Sequence, residues 1–114
     1  MNMEENITKD GGVHKKILTV GSGECPKDKT RVTVSYIGKF TDGTIFDTGD
    51  SKFSFVLGDK EVIKGWDLAV ATMKKGEKAI VTIKSDYAYG DDGFKFEIPP
   101  KATLIFEITL VSIS

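Results

Sequence analysis

Apolar residues recur at helical spacing in only one stretch of the chain, and this feature limits the possible folds most strongly. The positions of this stripe lie three or four residues apart and are Ile63, Trp66, Val70 and Met73. The sequence Lys74-Lys75-Gly76 is expected to end the helix, since cations favour a last turn and glycine tolerates the left-handed conformation that follows it. The fold can therefore contain one amphipathic helix and must draw the rest of its core from strands.

Several other segments alternate apolar and polar residues, as strands with one buried face do. These predicted strands are Val13–Val20, Arg31–Ile37, Ile45–Asp47, Phe53–Leu57, Lys78–Lys84 and Thr103–Ile113. No strand–helix–strand rhythm appears, so the sheet is expected to be antiparallel. The predicted fold class is α+β, with a five- to six-stranded antiparallel sheet covered on one face by a single short helix.

The length of 114 residues suits one domain, and an apolar content of 39% supports one modest core. Residues 1–11 are polar and are predicted to form a flexible N-terminal leader, so the domain itself is expected to span residues 12–114. Loops are predicted at the polar segment 48–52 and at residues 85–101, a stretch punctuated by glycine and proline.

Composition argues against several classes of function. A net charge of −1 gives no long-range field to attract nucleic acid or an anionic membrane, and no apolar run reaches the ~18–20 residues that span a bilayer. Cys25 is the only cysteine and His14 the only histidine, so neither a disulfide, a zinc site nor a Cys–His nucleophile is expected. Since the acidic N-terminus is unlike a signal peptide, we expect a cytoplasmic monomer that uses no metal or cofactor.

Five short motifs follow one another in order along the chain. They are Tyr36-Ile37-Gly38, Gly43-Thr44-Ile45-Phe46-Asp47, Glu61-Val62-Ile63-Lys64-Gly65-Trp66-Asp67, Asp86-Tyr87-Ala88-Tyr89-Gly90 and Ile98-Pro99-Pro100-Lys101-Ala102-Thr103-Leu104. In this order and spacing they resemble the FKBP family, the peptidyl-prolyl cis-trans isomerases that also bind tacrolimus and rapamycin. The resemblance runs from about Gly12 to Ile113. It implies a half-barrel sheet wrapped around one helix, with proline-containing peptides and unfolded proteins as substrates.

The resemblance also implies roles for individual residues. The expected catalytic residues are Tyr36, Phe46, Asp47, Trp66, Tyr89 and Phe106. The expected substrate- or ligand-binding residues are Phe53, Val62, Ile63, Phe94 and Ile98. Trp66 would provide a flat floor for the proline ring, while the Tyr89 hydroxyl and the Ile63 N–H would donate to a carbonyl of the substrate or macrolide.

This residue set suits the chemistry of prolyl isomerisation. Rotation about the prolyl amide removes its resonance, at a barrier of about 18–20 kcal/mol, but breaks no covalent bond. The reaction therefore needs no nucleophile, metal or proton relay. It is helped by an apolar pocket that removes water from the carbonyl and by a few fixed hydrogen-bond donors.

Several alternatives stay open on the sequence alone. Each aromatic residue could belong only to the core, and Asp47 could be a solvated charge at a strand edge. Gly65 lies in a first helical turn, where glycine costs about 1 kcal/mol relative to alanine. It therefore suggests a close approach, for example by the substrate backbone. For the whole domain, the alternative is a catalytically weak binding or chaperone module.

Three features depart from the family pattern. Residues 48–52 form a shorter segment than in the small members, and Lys29 occupies a turn position that is often glycine. Phe94 and Phe96 replace a compact Pro-Gly stretch. They could pack against the domain, or form an altered pocket wall or an exposed partner-binding surface. This loop is where family members meet the phosphatase or kinase that the drug complex recruits, so the change bears on that recruitment.

Overall fold

The computed structural model describes residues 3–94 and 98–113, and the side chains of residues 50–52 lie outside this description. Its strands are β1 (Glu4–Asn6), β2 (Val13–Thr19), β3 (Arg31–Phe40), β4 (Ile45–Val56), β5 (Lys78–Ile83) and β6 (Leu104–Ile113). Helix α1 (Lys64–Val70) precedes β5, and a short 3₁₀ turn (Ser85–Tyr87) follows it. Neither helical segment in these ranges is long and apolar enough to cross a bilayer.

The six strands form one antiparallel sheet in the order β1-β2-β5-β6-β3-β4. The β3–β4 hairpin closes at Asp42-Gly43, where the N–H of Gly43 donates to the carbonyl of Phe40 at 2.9 Å. Burial alternates residue by residue along β5 and along most of β6, as the period-two pattern predicted. The predicted α+β class, with one short helix on an antiparallel sheet, is confirmed.

Helix α1 turns one face towards the sheet. The helix residues buried there are Gly65, Trp66, Ala69 and Val70. They join the inward side chains of β3, β5 and β6 in a single hydrophobic core. Residues of this core are removed from water almost completely, and burial of this kind stabilises the fold by about 1.5–3 kcal/mol per large apolar side chain. The core thereby fixes the start of α1 against the sheet.

Strand β1 corrects the expected boundary of the leader. Glu4–Asn6 pairs with residues 14–16 of β2, and the N–H of Ile7 donates to the carbonyl of Val13 at 2.8 Å. All three residues of β1 are exposed, so the strand is held by backbone hydrogen bonds and shows no apolar alternation in the sequence. Met1 and Asn2, which also belong to the predicted leader, lie outside the described residues.

Strand β4 continues through residues 48–52, which were predicted to be a loop. The pairing with β3 shifts between Val34↔Phe53 and Tyr36↔Gly49, so β4 carries extra residues at this point. Such a bulge keeps a strand continuous while interrupting its alternation. The polar run therefore belongs to β4 and joins the two shorter strands predicted at Ile45–Asp47 and Phe53–Leu57.

Two expectations about α1 were also wrong. The helix ends at Val70, before the Lys74-Lys75-Gly76 sequence that was expected to end it. Gly65 does allow a close approach, but the approaching group is not a substrate. A Cβ atom at Gly65 would lie 2.6 Å from Cγ2 of Ile83, so the glycine lets α1 pack directly on β5.

Candidate active site

A cavity of about 220 Å³ lies between the start of α1 and strands β3, β4 and β6. Its lining residues are Tyr36, Phe46, Asp47, Phe53, Glu61, Val62, Ile63, Trp66, Tyr89 and Phe106. All of these except Glu61 were expected from the sequence. The cavity is smaller than the roughly 300–1,000 Å³ of sites that enclose a whole drug-sized ligand, which suits a single ring of a larger ligand.

Trp66 forms the base of this cavity and is 4% exposed. Three aromatic rings meet its indole nearly at right angles. Their centroids lie 4.8 Å (Tyr36), 5.2 Å (Phe106) and 5.6 Å (Phe53) from that of Trp66. Edge-to-face contacts of this kind contribute about 0.5–1.5 kcal/mol each beyond the area they bury. The aromatic lining is therefore a rigid cluster whose geometry is set before any ligand arrives.

The indole N–H of Trp66 is buried and has no hydrogen-bond acceptor among the described residues. A buried donor left in this state costs about 1–3 kcal/mol. Unsatisfied groups are uncommon in native proteins and call for an explanation when they occur. Here the rings of Tyr36, Phe53 and Phe106 pack around the indole and make its surroundings largely apolar.

Tyr36 and Asp47 form the polar rim of the cavity. The Tyr36 hydroxyl donates to Oδ2 of Asp47 at 2.7 Å, across the paired strands β3 and β4. Burial raises the pKa of Tyr36 above its usual value of 10.0, and the hydrogen bond to Asp47 raises it further. The phenol therefore remains neutral at physiological pH, with its proton directed to the carboxylate. Asp47 faces the cavity and is not a solitary charge at the strand edge.

Ile63 supplies a backbone donor where α1 begins. Its carbonyl already accepts the N–H groups of Trp66 (3.0 Å) and Asp67 (3.4 Å). Its own N–H finds no acceptor in residues 3–94 or 98–113. Because the first N–H groups of a helix lack intrahelical partners, they are often satisfied by a ligand. The Ile63 N–H at the cavity wall is thus a fixed donor available to a bound carbonyl.

The two remaining predicted site residues lie outside the cavity lining. Ile98 is 4% exposed and belongs to the hydrophobic core. Phe94 is 41% exposed, and its ring packs against that of Tyr89 with centroids 5.1 Å apart. Backbone hydrogen bonds of 2.9 and 3.1 Å join Phe94 to Ile98. Phe96, the second unusual phenylalanine, lies outside the described residues.

Glu61 is the lining residue that the sequence analysis did not single out. It opens the motif that ends at Asp67, and its Oε1 accepts a long hydrogen bond of 3.4 Å from the N–H of Val56. The motif position alone could have indicated it, because Val62 and Ile63 follow directly. A carboxylate in this position adds to the polar rim and leaves the aromatic floor unchanged.

Comparison with known proteins agrees with this geometry. A family model described as FKBP-type peptidyl-prolyl cis-trans isomerase matches residues 22–111. FK506-binding protein 1 of Dictyostelium discoideum is 44% identical over 104 residues, which cover 89% of this chain and 97% of that protein. The chain belongs to the FKBP family. Its sequence motifs and its antiparallel sheet with one helix agree with this membership.

Other FKBP relatives are larger. Human peptidyl-prolyl cis-trans isomerase FKBP4 is 51% identical over 105 residues, which cover 89% of this chain but 23% of that protein. The Dictyostelium discoideum FK506-binding protein 4 is 49% identical over 107 residues and is covered to 29%. The chain thus spans about a quarter of the length of these curated relatives.

Solved structures support the same fold. A peptidyl-prolyl cis-trans isomerase from Pseudomonas syringae superposes with a TM-score of 0.88 at 37% identity, covering 100% of this chain and 83% of that one. The three FKBP domains of wheat FKBP73 give a TM-score of 0.91 at 37% identity, covering 96% of this chain and 48% of that one. At 37% identity and high TM-scores, both matches support an FKBP fold for this chain.

Proposed function

We propose that this FKBP domain catalyses cis–trans isomerisation of Xaa-Pro bonds in peptides and unfolded proteins, with the Trp66 cavity as its active site. The observation that carries the proposal is an aromatic cavity whose floor is a buried tryptophan and whose polar groups lie at the rim. An apolar floor suits the pyrrolidine ring, whereas the rim suits the amide next to it. A nucleophile or metal would have no part in the reaction.

The geometry favours rotation of the prolyl amide in two ways. Removing water from the carbonyl raises the free energy of the planar amide more than that of the twisted amide, because the planar form is more dipolar. Fixed donors then hold the carbonyl oxygen in its rotated position at no cost of reorganisation. We assign these donor roles to the Ile63 N–H and the Tyr89 hydroxyl. The carbon–nitrogen bond turns, no bond to a heavy atom breaks, and no proton is transferred.

The other lining residues shape the cavity around the proline. Phe46, Phe53 and Phe106 are its aromatic walls, and Val62 forms the apolar edge beside Ile63. Val62 and Ile63 also line a second groove of about 580 Å³, so a peptide chain can continue from the cavity across this edge. An apolar residue before proline is the expected preference, because the flank of the cavity is itself apolar.

The same cavity would accept the ring of tacrolimus or rapamycin that mimics proline. Recruitment of a phosphatase or kinase by the drug-bound form stays a prediction, and the exposed ring of Phe94 is where it would differ from other members. Cys25 is exposed and free, which suits a reducing compartment such as the cytoplasm.

A second candidate function is favoured by Phe94. Its 41% exposed ring extends the aromatic surface outward from Tyr89, beyond the cavity. A surface of this kind suits binding of apolar segments without turnover, as in a docking or chaperone module. The rim pair Tyr36–Asp47 and the aromatic floor are intact, which favours catalysis over binding alone.

The deciding experiment measures cis-to-trans isomerisation of a Xaa-Leu-Pro-Phe peptide with and without rapamycin. Acceleration that the drug abolishes is the expected result and supports catalysis in the Trp66 cavity. Binding of the drug without acceleration would overturn the catalytic proposal in favour of the binding module. Neither binding nor turnover would mean that the aromatic cluster serves only as core.

A further inference from the structure

Gly49 lies opposite Tyr36 in the pairing of β4 with β3, two residues after Asp47. A Cβ atom at this position would be 2.2 Å from Cε1 and 2.8 Å from Cδ1 of the Tyr36 ring. Gly49 is not among the glycines with a positive φ, so the backbone conformation does not require glycine. The requirement comes from the tyrosine ring, which occupies the space that any other side chain would fill.

This packing has a direct consequence for the rim of the cavity. Residues 47 and 49 project to the same face of β4, because side chains alternate along a strand. A ring lying over Gly49 therefore brings its hydroxyl to Asp47, at the observed 2.7 Å. The same placement sets the centroid of the Tyr36 ring 4.8 Å from that of the Trp66 indole. One glycine thus determines the position of a tyrosine that contacts both the rim and the floor.

We propose that Gly49 is a positioning residue of the active site, which acts by seating the Tyr36 ring. The inference rests on the proposed function and adds a residue that lines no part of the cavity. An alanine would force the ring to move by more than about 1 Å to reach ordinary contact distance. Interior packing is too dense to absorb such a shift without displacing the hydroxyl or the rings beside it.

The chain contains a matched arrangement that lines no part of the cavity. A Cβ atom at Gly12 would lie 2.3 Å from Cε2 of Tyr87, and the Tyr87 hydroxyl donates to Oδ2 of Asp10 at 2.8 Å. Here too the aspartate precedes the glycine by two residues. Tyr87 and Asp10 are absent from the cavity lining. Gly12→Ala is therefore a control that imposes a similar clash on a tyrosine outside the site.

The test compares Gly49→Ala with Gly12→Ala. We expect Gly49→Ala to lower kcat/KM for the Xaa-Leu-Pro-Phe peptide by roughly 10–100-fold, the loss typical of a misplacement of about 1 Å in an active site. Its fluorescence should also change, because Trp66 is the only tryptophan and contacts the displaced ring. Gly12→Ala should retain wild-type kcat/KM and emission. Equal kcat/KM in the two variants would overturn the proposal.

A second background separates positioning from a general loss of stability. In Tyr36→Ala the ring is absent, so adding Gly49→Ala should lower neither kcat/KM nor Tm further. The same comparison serves if Gly49→Ala alone does not fold, since the double variant should then fold as well as Tyr36→Ala. A further loss of activity or of Tm in the double variant would show that Gly49 acts through something other than this ring.

These outcomes are distinguishable from failure of the proposed function. If the wild-type protein does not accelerate isomerisation, the catalytic proposal fails. The emission of Trp66 and the Tm comparison in the Tyr36→Ala background still report whether Gly49 seats the ring. If the wild-type protein is active and Gly49→Ala matches it in activity and emission, only the positioning role is lost.

Discussion

The two ends of the sheet bury polar groups in opposite ways. Where β2 meets the turn before β5, Lys15 is 1% exposed and Glu77 is 3% exposed. The Lys15 ammonium donates to Oε2 of Glu77 at 2.9 Å and to the carbonyl of Thr72 at 3.1 Å. At the cavity, by contrast, the buried indole N–H of Trp66 has no acceptor among the described residues. The buried charges of Lys15 and Glu77 thus have hydrogen-bond partners, whereas the buried N–H of Trp66 has none among the described residues.

The comparison suggests that stability and the proposed activity depend on different parts of this small domain. A buried charge is tolerated when it is paired and hydrogen-bonded, and removing one partner of such a pair destabilises the fold strongly. The proposed active site has the reverse requirement, because a donor such as the Ile63 N–H must be available to a bound carbonyl. We therefore expect mutations of the Lys15–Glu77 pair to change stability, and mutations at the cavity to change activity first.

Glu77→Gln should produce the largest loss of stability. It leaves the buried Lys15 ammonium with only the exposed carboxylate of Glu5, 3.4 Å away, and the loss of a buried partner typically costs about 3–5 kcal/mol. Urea denaturation would measure this loss, and kcat/KM of the folded protein should stay at the wild-type value. The half-exposed pair Lys78–Glu107, at 2.8 Å, provides the control. Glu107→Gln should cost only about 0.2–1 kcal/mol, since water and salt screen that pair.

The paired replacement Lys15→Met with Glu77→Leu makes this comparison sharper. Removing both charges together leaves no uncompensated ion, so most of the stability lost in Glu77→Gln should return. If the double variant is as unstable as the single one, the pair does not act through its charge. A loss of isomerase activity in folded Glu77→Gln would contradict the expectation that this pair affects stability only.

Unlike Glu77→Gln, Trp66→Leu should lower activity strongly and stability only moderately. Stability should fall by about 1–3 kcal/mol, as for many core substitutions, because removal of the unsatisfied N–H offsets part of the lost packing. Isomerisation of the Xaa-Leu-Pro-Phe peptide should fall by roughly 10–100-fold, since the flat floor that orients the proline is gone. Kinetics measured below the unfolding transition would separate the two effects.

Phe55→Leu is the matched control for Trp66→Leu. The two rings belong to one aromatic cluster with centroids 5.8 Å apart, but Phe55 does not line the cavity. A similar loss of stability is expected, with kcat/KM retained. Equal losses of activity in both variants would mean that the cluster supports the site only through packing, and would remove the special role of the tryptophan.

The sequence indicated most of this architecture because its strands bury one face. The alternation in β3, β5 and β6 follows directly from contact with a shared core, and the single helical stripe had one place to pack. Strand β1 shows no such pattern, since its residues are exposed and its stability comes from backbone pairing. The bulge in β4 likewise breaks the alternation on which the prediction depended.

At the site, the motifs identified the residues that line the cavity but not the packing that seats them. Gly49 lay in a predicted loop, and its role appears only when the ring of Tyr36 is seen against it. Ile98 and Phe94 were assigned to the site together. Two backbone hydrogen bonds join them, but Ile98 lies in the core and Phe94 is exposed. Side-chain direction in a loop depends on such tertiary contacts and has no periodic pattern.

Asp10 offers the smallest expected effect, in the turn after β1 and outside the cavity. Its pKa is lowered from 3.8 to about 2, first by the Thr8 hydroxyl and then by the Gly12 N–H and the Tyr87 hydroxyl. A depressed pKa in the folded state stabilises the protein above the unfolded value, and this contribution disappears as the pH falls through the folded value. Between about pH 4 and pH 2, Tm of the wild-type protein should therefore fall more steeply than that of Asp10→Asn. Parallel curves of Tm against pH for the two proteins would contradict the lowered pKa of Asp10. A loss of isomerase activity in Asp10→Asn at neutral pH would show that this turn affects the cavity as well as stability.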